Sequence, residues 1–318
     1  MSFISTSSNS ANLHLYYEKK LLETLEPRLV LYQLGMKQKL PKGNGKQVKW
    51  LRYSAIAEST SALTEGTPPS ELSVSTANVT ATVSQYGQFS KVTDLLSDTA
   101  IDPVVENLAE RFGRAAAKTV EKLIVNELDS NAFVQRVNNR ANDAAIVAGD
   151  VLNHKELIEA MIRMKADYIE AHEKGEYISV LHPLAEYDLT VDTQSGSWLD
   201  IRKYTDNKDI LKGEIGRMYG MRFLVSDKMT TEEDAGASST VDVISNYVIG
   251  AEAFGVVELN GQAIKMIRKS LGSAGAADPL DQYSTVGYKI HGFVPKFLDA
   301  SSKRVIRIKS SSALGANT

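Results

Sequence analysis

The stretch that most constrains the fold runs from Asp102 to Asp129, DPVVENLAERFGRAAAKTVEKLIVNELD. Val105, Leu108, Phe112, Ala116, Val120, Leu123 and Ile124 recur at three- and four-residue steps, and Glu106, Glu110, Arg114, Lys118 and Glu121 fall on the other face. That spacing predicts one amphipathic helix. Asp102 is placed to accept from the free amides of its first turn, and Pro103 suits the first helical position. At 1.5 Å per residue the helix is roughly 40 Å long, longer than most globular helices. Nothing on it reads as catalytic, so its expected role is mechanical: a stiff rod between two bodies.

Composition narrows the classes. A chain of 318 residues suits about two domains, or one elongated subunit with projections. The 43% hydrophobic content can fill a sizeable core, and a net charge of −3 argues against a dedicated nucleic-acid binder, while leaving room for weak contact through a local patch. Cysteine is absent, which removes disulfides, thiolate metal sites and thiol catalysis. The N-terminal MSFISTSSNSANLHLYYEKK lacks a basic run followed by an apolar core, and no apolar run reaches membrane-spanning length, so the chain reads as soluble and unexported.

Residues 1–11 are polar and read as an arm that is flexible or ordered against a partner. A helical pattern follows, with Tyr16 and Tyr17 on it, Pro27 breaking it, and Gly35 as a stop. PKGNGKQ is a hairpin-turn signal, and KQVKWLRYSAI alternates as a strand does. Residues 57–76, with Gly66 and Pro68-Pro69, read as an exposed tip, and a second strand returns from Ala77 to Val92. Two strands alone are marginal, so this extended hairpin must lie on something. Residues 131–153 read as a connector, with Asp150 capping the next helix. YISVLHP, MRFLVS and VDVISNYVI alternate with helical segments, which implies a compact α/β body. AIKMIRKS, YSTVGYKIHGFVP and SSKRVIRIKS are expected to pair as antiparallel strands beside the long helix.

The chemical signals are weak. GEIGRMYGM carries three glycines, but a dinucleotide site needs them to open a helix, and MRFLVS is strand-like, so a hairpin turn is the reading. His14, His154, His172, His182 and His291 show no ligand spacing. Glu232, Glu233 and Asp234 lack the pattern of a calcium loop and read as a solvated surface loop. No GxSxG occurs, and Trp50 and Trp198 read as packing anchors. Catalytic, cofactor and metal sites are therefore all expected to be absent. Charge is nonetheless segregated. Lys37, Lys39, Lys42, Lys46, Lys49 and Arg52 crowd the first hairpin strand, and Glu58, Glu65 and Glu71 lie at the tip. On one chain this provides solubility; across two chains it is a means of mating one hairpin with a neighbour, and the sequence supports both.

The order of arm, long hairpin, helix, α/β body and returning strands resembles the major capsid proteins of tailed bacteriophages, the Hong Kong 97-type fold. The wording is most similar to the phage N4-type major capsid family, in YYEKKLLETLEPRLVLYQLG, LTEGTPPSELSVS, TATVSQYGQFSKVTDL, GEIGRMYGMRFLVSDKM and YSTVGYKIHGFVPKFLDASSKRVIRIKS. The resemblance implies an α+β class with an N-terminal arm at 1–35, an extended hairpin loop at 36–93, a peripheral domain with the spine helix at 94–149, an axial domain at 150–262 and return strands with a tail at 263–318. It implies a non-enzymatic virion protein, assembled in the host cytoplasm into pentamers and hexamers of an icosahedral shell around double-stranded DNA. Scaffold, portal and decoration proteins are the implied partners, with weak non-specific DNA contact and no membrane. Lys39, Lys49, Arg52, Glu58, Glu65, Glu71, Tyr16 and Tyr17 are the expected subunit contacts. Some relatives cross-link through a loop lysine, which residues 57–76 lack, so that chemistry is not carried over. No long scaffold-like coiled segment precedes the arm, leaving a separate scaffold or a short processed piece open. An encapsulin-type compartment shares the fold. A flagellin-like filament protein would need long helices at both termini, and an α/β enzyme would need an acid, base or nucleophile set.

Overall fold

The computed structural model describes residues 29–53, 56, 58–60, 62, 65–66, 71, 73–99, 104–172, 175–192, 214–259, 264–273, 278–299 and 303–314. Asp102, Pro103, the arm before Leu29, His14 and Trp198 lie outside the described residues.

The long helix α3 (Val104–Asn131) follows the short helices α1 (Leu31–Leu34) and α2 (Asp94–Thr99). Its stripe is in the expected phase: Ala116, Val120 and Ile124 are buried, and Val105, Leu108, Phe112 and Leu123 are half-buried. Ala109, Ala117, Val125 and Leu128 widen the band. Glu121 departs from the expectation, because it is buried rather than solvated: its carboxyl replaces water with the amides of α1.

Two sheets flank this helix. The first joins β1 (Met36–Leu40), β4 (Ser84–Thr93), β11 (Phe254–Leu259) and β12 (Ile264–Lys269) to the fifteen-residue β13 (Tyr283–Phe297). β4 and β12 pair antiparallel with the first part of β13 and β11 with its last part, while β1 runs parallel to β11. Met266 and Val286 meet Ala109 near one end of α3. Tyr288, Phe293 and Phe254 meet Ala116, Val120 and Ile124 further along.

The second sheet has the order β5 (Phe133–Arg136), β14 (Val305–Ser310), β10 (Val243–Ile249), β6 (Tyr177–Leu181), β8 (Met221–Val225), β7 (Glu214–Met218), with β9 (Thr231–Glu232) beside β10. Ile178, Val180, Leu224 and Tyr247 share the core of α3. On the other side, α4 (His154–Ala166) and α5 (Pro183–Val191) bury Leu157, Ala160, Met164, Ala185 and Leu189 against Phe223, Ile244 and Ile308.

Several expectations need correcting. Of the segment SSKRVIRIKS, Val305–Ser310 forms β14 in the second sheet, between β10 and the parallel β5, and not beside the first-sheet strands. PKGNGKQ does turn, with Gly43 and Gly45 at positive φ, but the strands it separates do not pair, since β1 goes to β11 and β2 (Gln47–Tyr53) to β3 (Thr76–Thr82). The return strand breaks at Val83 into β3 and β4, which serve different sheets. Asn153, not Asp150, caps α4, accepting from Lys155 and Glu156; Asp150 is instead held by Arg140 and Asn138. The glycine cluster GEIGRMYGM does form a hairpin, and Tyr219 and Gly220, both at positive φ, make its two-residue turn.

Candidate assembly surfaces

β2 and β3 pair from Gln47↔Thr82 to Tyr53↔Thr76 as a two-stranded sheet. Strand alternation divides its residues between two faces. Val48, Trp50, Ala81 and Val83 pack on Leu40, Val257, Leu259 and Val294 of the first sheet, and the Trp50 indole lies over Gly255, where a Cβ would come within 2.8 Å. Arg52 adds an ion pair to Asp299. The base of the hairpin is thus tied to its own subunit. On the outward face Leu51 and Tyr53 are exposed, as are Ile56 and Val74 beyond them. Lys39, Lys49, Glu58, Glu65 and Glu71 are exposed too; Arg52 is half-buried against Asp299, and Tyr16 and Tyr17 lie outside the described residues. Between Tyr53 and Lys91 the only charged residues are the three glutamates.

A second surface lies on the face of the first sheet turned away from α3. The registers set three rungs across β4, β13 and β12: Lys91–Thr285–Lys269, Phe89–Gly287–Ile267 and Gly87–Lys289–Lys265. An apolar rung therefore sits between two basic ones. Phe89 is 70% exposed, and its backbone and Cβ crowd Gly287, where a Cβ would lie 2.7 Å from the Phe89 Cβ. Lys91 Nζ stands 4.1 Å from the centre of the Tyr283 ring. Lys265 and Lys289 are directly opposed, an arrangement of like charges that costs stability unless an anion meets it. All of these rung residues but Lys265 line a groove of about 700 Å³. Sequence reading missed these lysines, although their signal was present as period-two alternation in AIKMIRKS and VGYKIHG.

Several other ionisable groups are paired inside the fold. Glu232, expected in a solvated loop, accepts from Arg307 at 2.8 Å and from Lys309 at 2.7 Å, because β9 brings it against two cations that β14 buries. Arg307 also forms an ion pair with Asp129 at 3.0 Å and donates to Ser245, and Lys309 donates to Asp143 at 2.7 Å. Burial opposes ionisation of Asp143, but its hydrogen bonds from Lys309 and Arg136 outweigh that and hold its carboxyl below the usual range. Tyr247 donates to Asp129, and burial with that neighbouring charge pushes its phenol up. His154 is paired with Asp192 at 2.8 Å, His172 donates to the Leu34 carbonyl, and His182 caps α5. Among the described residues no group of three or more His, Cys, Asp or Glu side chains is placed to hold a metal, and no helix is long and apolar enough to cross a membrane.

Three solved structures share the architecture. The capsid of Ralstonia phage GP4 is 13% identical with a TM-score of 0.66, over 88% of this chain and 87% of that one. The capsid of cyanophage P-SCSP1u is 15% identical with a TM-score of 0.64, over 89% and 88%. The capsid asymmetric unit of cyanophage Pam1 is 14% identical with a TM-score of 0.62, over 88% and 89%. These likenesses establish the Hong Kong 97-like capsid fold. No curated protein sequence matches the chain. The description of the family "Phage capsid protein" matches residues 76–304, well over half of the sequence, and the chain belongs to that family.

Proposed function

We propose that the chain is the major coat subunit of a tailed phage, closing with copies of itself into pentamers and hexamers of an icosahedral shell around double-stranded DNA, and that its extended hairpin lies on a neighbouring subunit. The observation that carries the reading is a pair of complementary surfaces that one chain leaves open. The hairpin ends in exposed apolar groups and glutamates, and the outer face of the first sheet offers an apolar rung between lysines. Heterologous contacts of this kind close into rings where the rotation between neighbours closes. Lys39, Lys49, Glu58, Glu65 and Glu71 are the charged contacts we assign to it, with Arg52 shared between Asp299 and that interface, and Tyr16 and Tyr17 to the arm contact.

Within the family we infer an N4-type coat protein on the quoted arm, tip and return segments. Residues 1–35 serve as arm, 36–93 as extended loop, 94–149 as peripheral domain and 150–262 as axial domain. The segment 263–318 is divided between the two bodies, since β14 lies in the second sheet. The subunit acts structurally and not catalytically, assembles in the host cytoplasm with scaffold, portal and decoration partners, and touches packaged DNA only weakly, consistent with a net charge of −3.

The test is particle formation by the expressed chain, followed by sedimentation and negative-stain microscopy, beside a variant lacking Ser59–Glu71. The wild type is expected to form shells, alone or with a co-expressed scaffold, and the deletion to leave folded subunits that do not assemble. Normal shells from the deletion would refute the role of the hairpin. Particles carrying an enzyme cargo in place of DNA would identify an encapsulin-type compartment instead.

A further inference from the structure

The helix α3 turns a carboxyl into the core. Glu121 is 1% exposed; its Oε2 accepts from the Leu31 amide at 3.2 Å and its Oε1 from the Tyr32 amide at 3.4 Å. The first amides of a helix have no acceptor inside it, and Val30 at the start of α1 supplies no side-chain cap. Glu121 takes that place from a different element. Leu31 itself is fully buried, so the segment is seated by its side chain and held by its backbone.

The charged surroundings come from four directions. Lys118 and Lys122 lie on α3 itself, and Lys122 donates to Thr230 at 3.1 Å. The turn after β8 contributes Asp227 and Lys228, which line a 260 Å³ cavity beside Glu121 and pair with each other at 2.6 Å. From α1, the Tyr32 phenol donates to Glu258 of β11, and Lys37 of β1 stands 4.6 Å from the Tyr32 ring centre.

We propose that Glu121 is a pH-sensitive latch: the carboxyl that seats residues 29–34 on α3 holds them firmly when it is neutral and weakly when it must keep a charge away from water. Burial is the largest cause and pushes the carboxyl up to about 7; the Leu31, Tyr32 and Val30 amides pull it down, and the charge of Asp227 adds to the rise. Lifting the segment lets water reach Glu121 and returns it toward the ordinary 4.5. Docking is therefore linked to proton uptake. Its full strength is present below about 4.5, is lost as pH rises to about 7, and is constant above that. The segment leads through Gly35 into β1, which among the described residues pairs with β11 alone, so the latch governs the junction of spine helix and sheet edge. This inference does not depend on the coat-protein reading.

The test is hydrogen–deuterium exchange at the Leu31 and Tyr32 amides of the purified full-length chain between pH 5.5 and 8.5, corrected for intrinsic exchange. Protection is expected to be roughly 10- to 30-fold greater at pH 5.5 than at pH 8, with little change above about pH 7.5. Glu121→Gln, neutral and of equal size, should give a flat profile. A flat wild-type profile, or the same slope in the Gln variant, would overturn the proposal. Carbon-13 detection of the Glu121 carboxyl gives a reading that needs no variant: a midpoint near 7 supports the latch, and one near 4.5 overturns it.

Discussion

Replacing Arg307 by Met tests whether the ion network on β14 holds the second sheet to the end of α3. The Arg307 side chain is 6% exposed and lies between Asp129 and Glu232, whose side chains are 18% and 30% exposed. Breaking a buried pair from one side costs about 3–5 kcal/mol; because water still reaches both carboxylates, about 2–4 kcal/mol is expected here. Glu232→Gln is milder. Arg307 keeps Asp129 and Lys309 keeps Asp143, so roughly 1–2 kcal/mol is the expected loss. In the double variant the Arg307–Glu232 contact, which each single change already removes, is counted once rather than twice, and the total should fall short of the sum by about 1 kcal/mol or more. Urea denaturation of unassembled subunits at pH 7 measures all three, with the slope required to stay constant. Additivity within about 0.5 kcal/mol, or a loss below about 1 kcal/mol for Arg307→Met, would show that the network is incidental to stability.

Ile124→Ala opens a cavity in the fully buried band of α3 and should cost about 2–5 kcal/mol, whereas Glu110→Ala, which loses a surface pair with Arg114, should stay within about 0.5 kcal/mol by circular dichroism melts. Gly287→Ala places a Cβ 2.5 Å from the Gln88 carbonyl and 2.9 Å from the Phe89 Cα, so β4 must shift at about 1–3 kcal/mol. Gly220→Ala meets nothing and pays only for its positive φ, about 1 kcal/mol in the same melts. Changing Glu58, Glu65 and Glu71 together to Lys should lower particle yield in sedimentation while leaving the subunit folded. Wild-type yield should also fall with salt, since surface attractions are screened beyond about 10 Å at 0.1 M; equal yields at low salt would leave shape and backbone pairing as the glue.

What the sequence made legible was local. The 3.6-residue period of α3 and the alternation of β2 and β3 follow from which side chains face a core, and both stand in the structure. Glu121 was misjudged although the helical period places it between Ala117 and Ile124 on the buried side; its charge overrode its phase, and only the distant amides of Leu31 and Tyr32 explain why a carboxyl fits there. Alternation in VIRIKS identified a strand but not its sheet. Arg307 and Lys309 imitate a solvent face, yet Asp129 of α3, Asp143 of a turn and Glu232 of β9 bury them from far away in sequence. Asp150 and Asn153 are equally good caps by residue type, and Arg140 decided between them by claiming Asp150. The lysines on the outer sheet face became a surface only once β4, β12 and β13 were in register.

The carboxylates of α3 also answer a problem that its apolar stripe creates. A stripe of small and aliphatic residues repeats each helical turn, so a shift of about 5.4 Å along the axis would meet similar partners. Directional bonds remove that degeneracy. Glu121 fixes the helix to the amides of Leu31 and Tyr32, and Glu127 accepts from Lys296 at 2.9 Å and from the Phe297 amide at 3.1 Å on β13. Asp129 takes Tyr247 of β10 and Arg307 of β14. Each carboxylate thus ties the rod to a different body: the root of β1, the first sheet, the second sheet. Apolar burial supplies most of the cohesion and is indifferent to register, whereas these three contacts add little net energy and cannot be satisfied after a one-turn slip. On the proposed reading, in which the hairpin lies on a neighbouring subunit, hairpin and sheet must be presented at one fixed separation, and these three carboxylates of α3 set it.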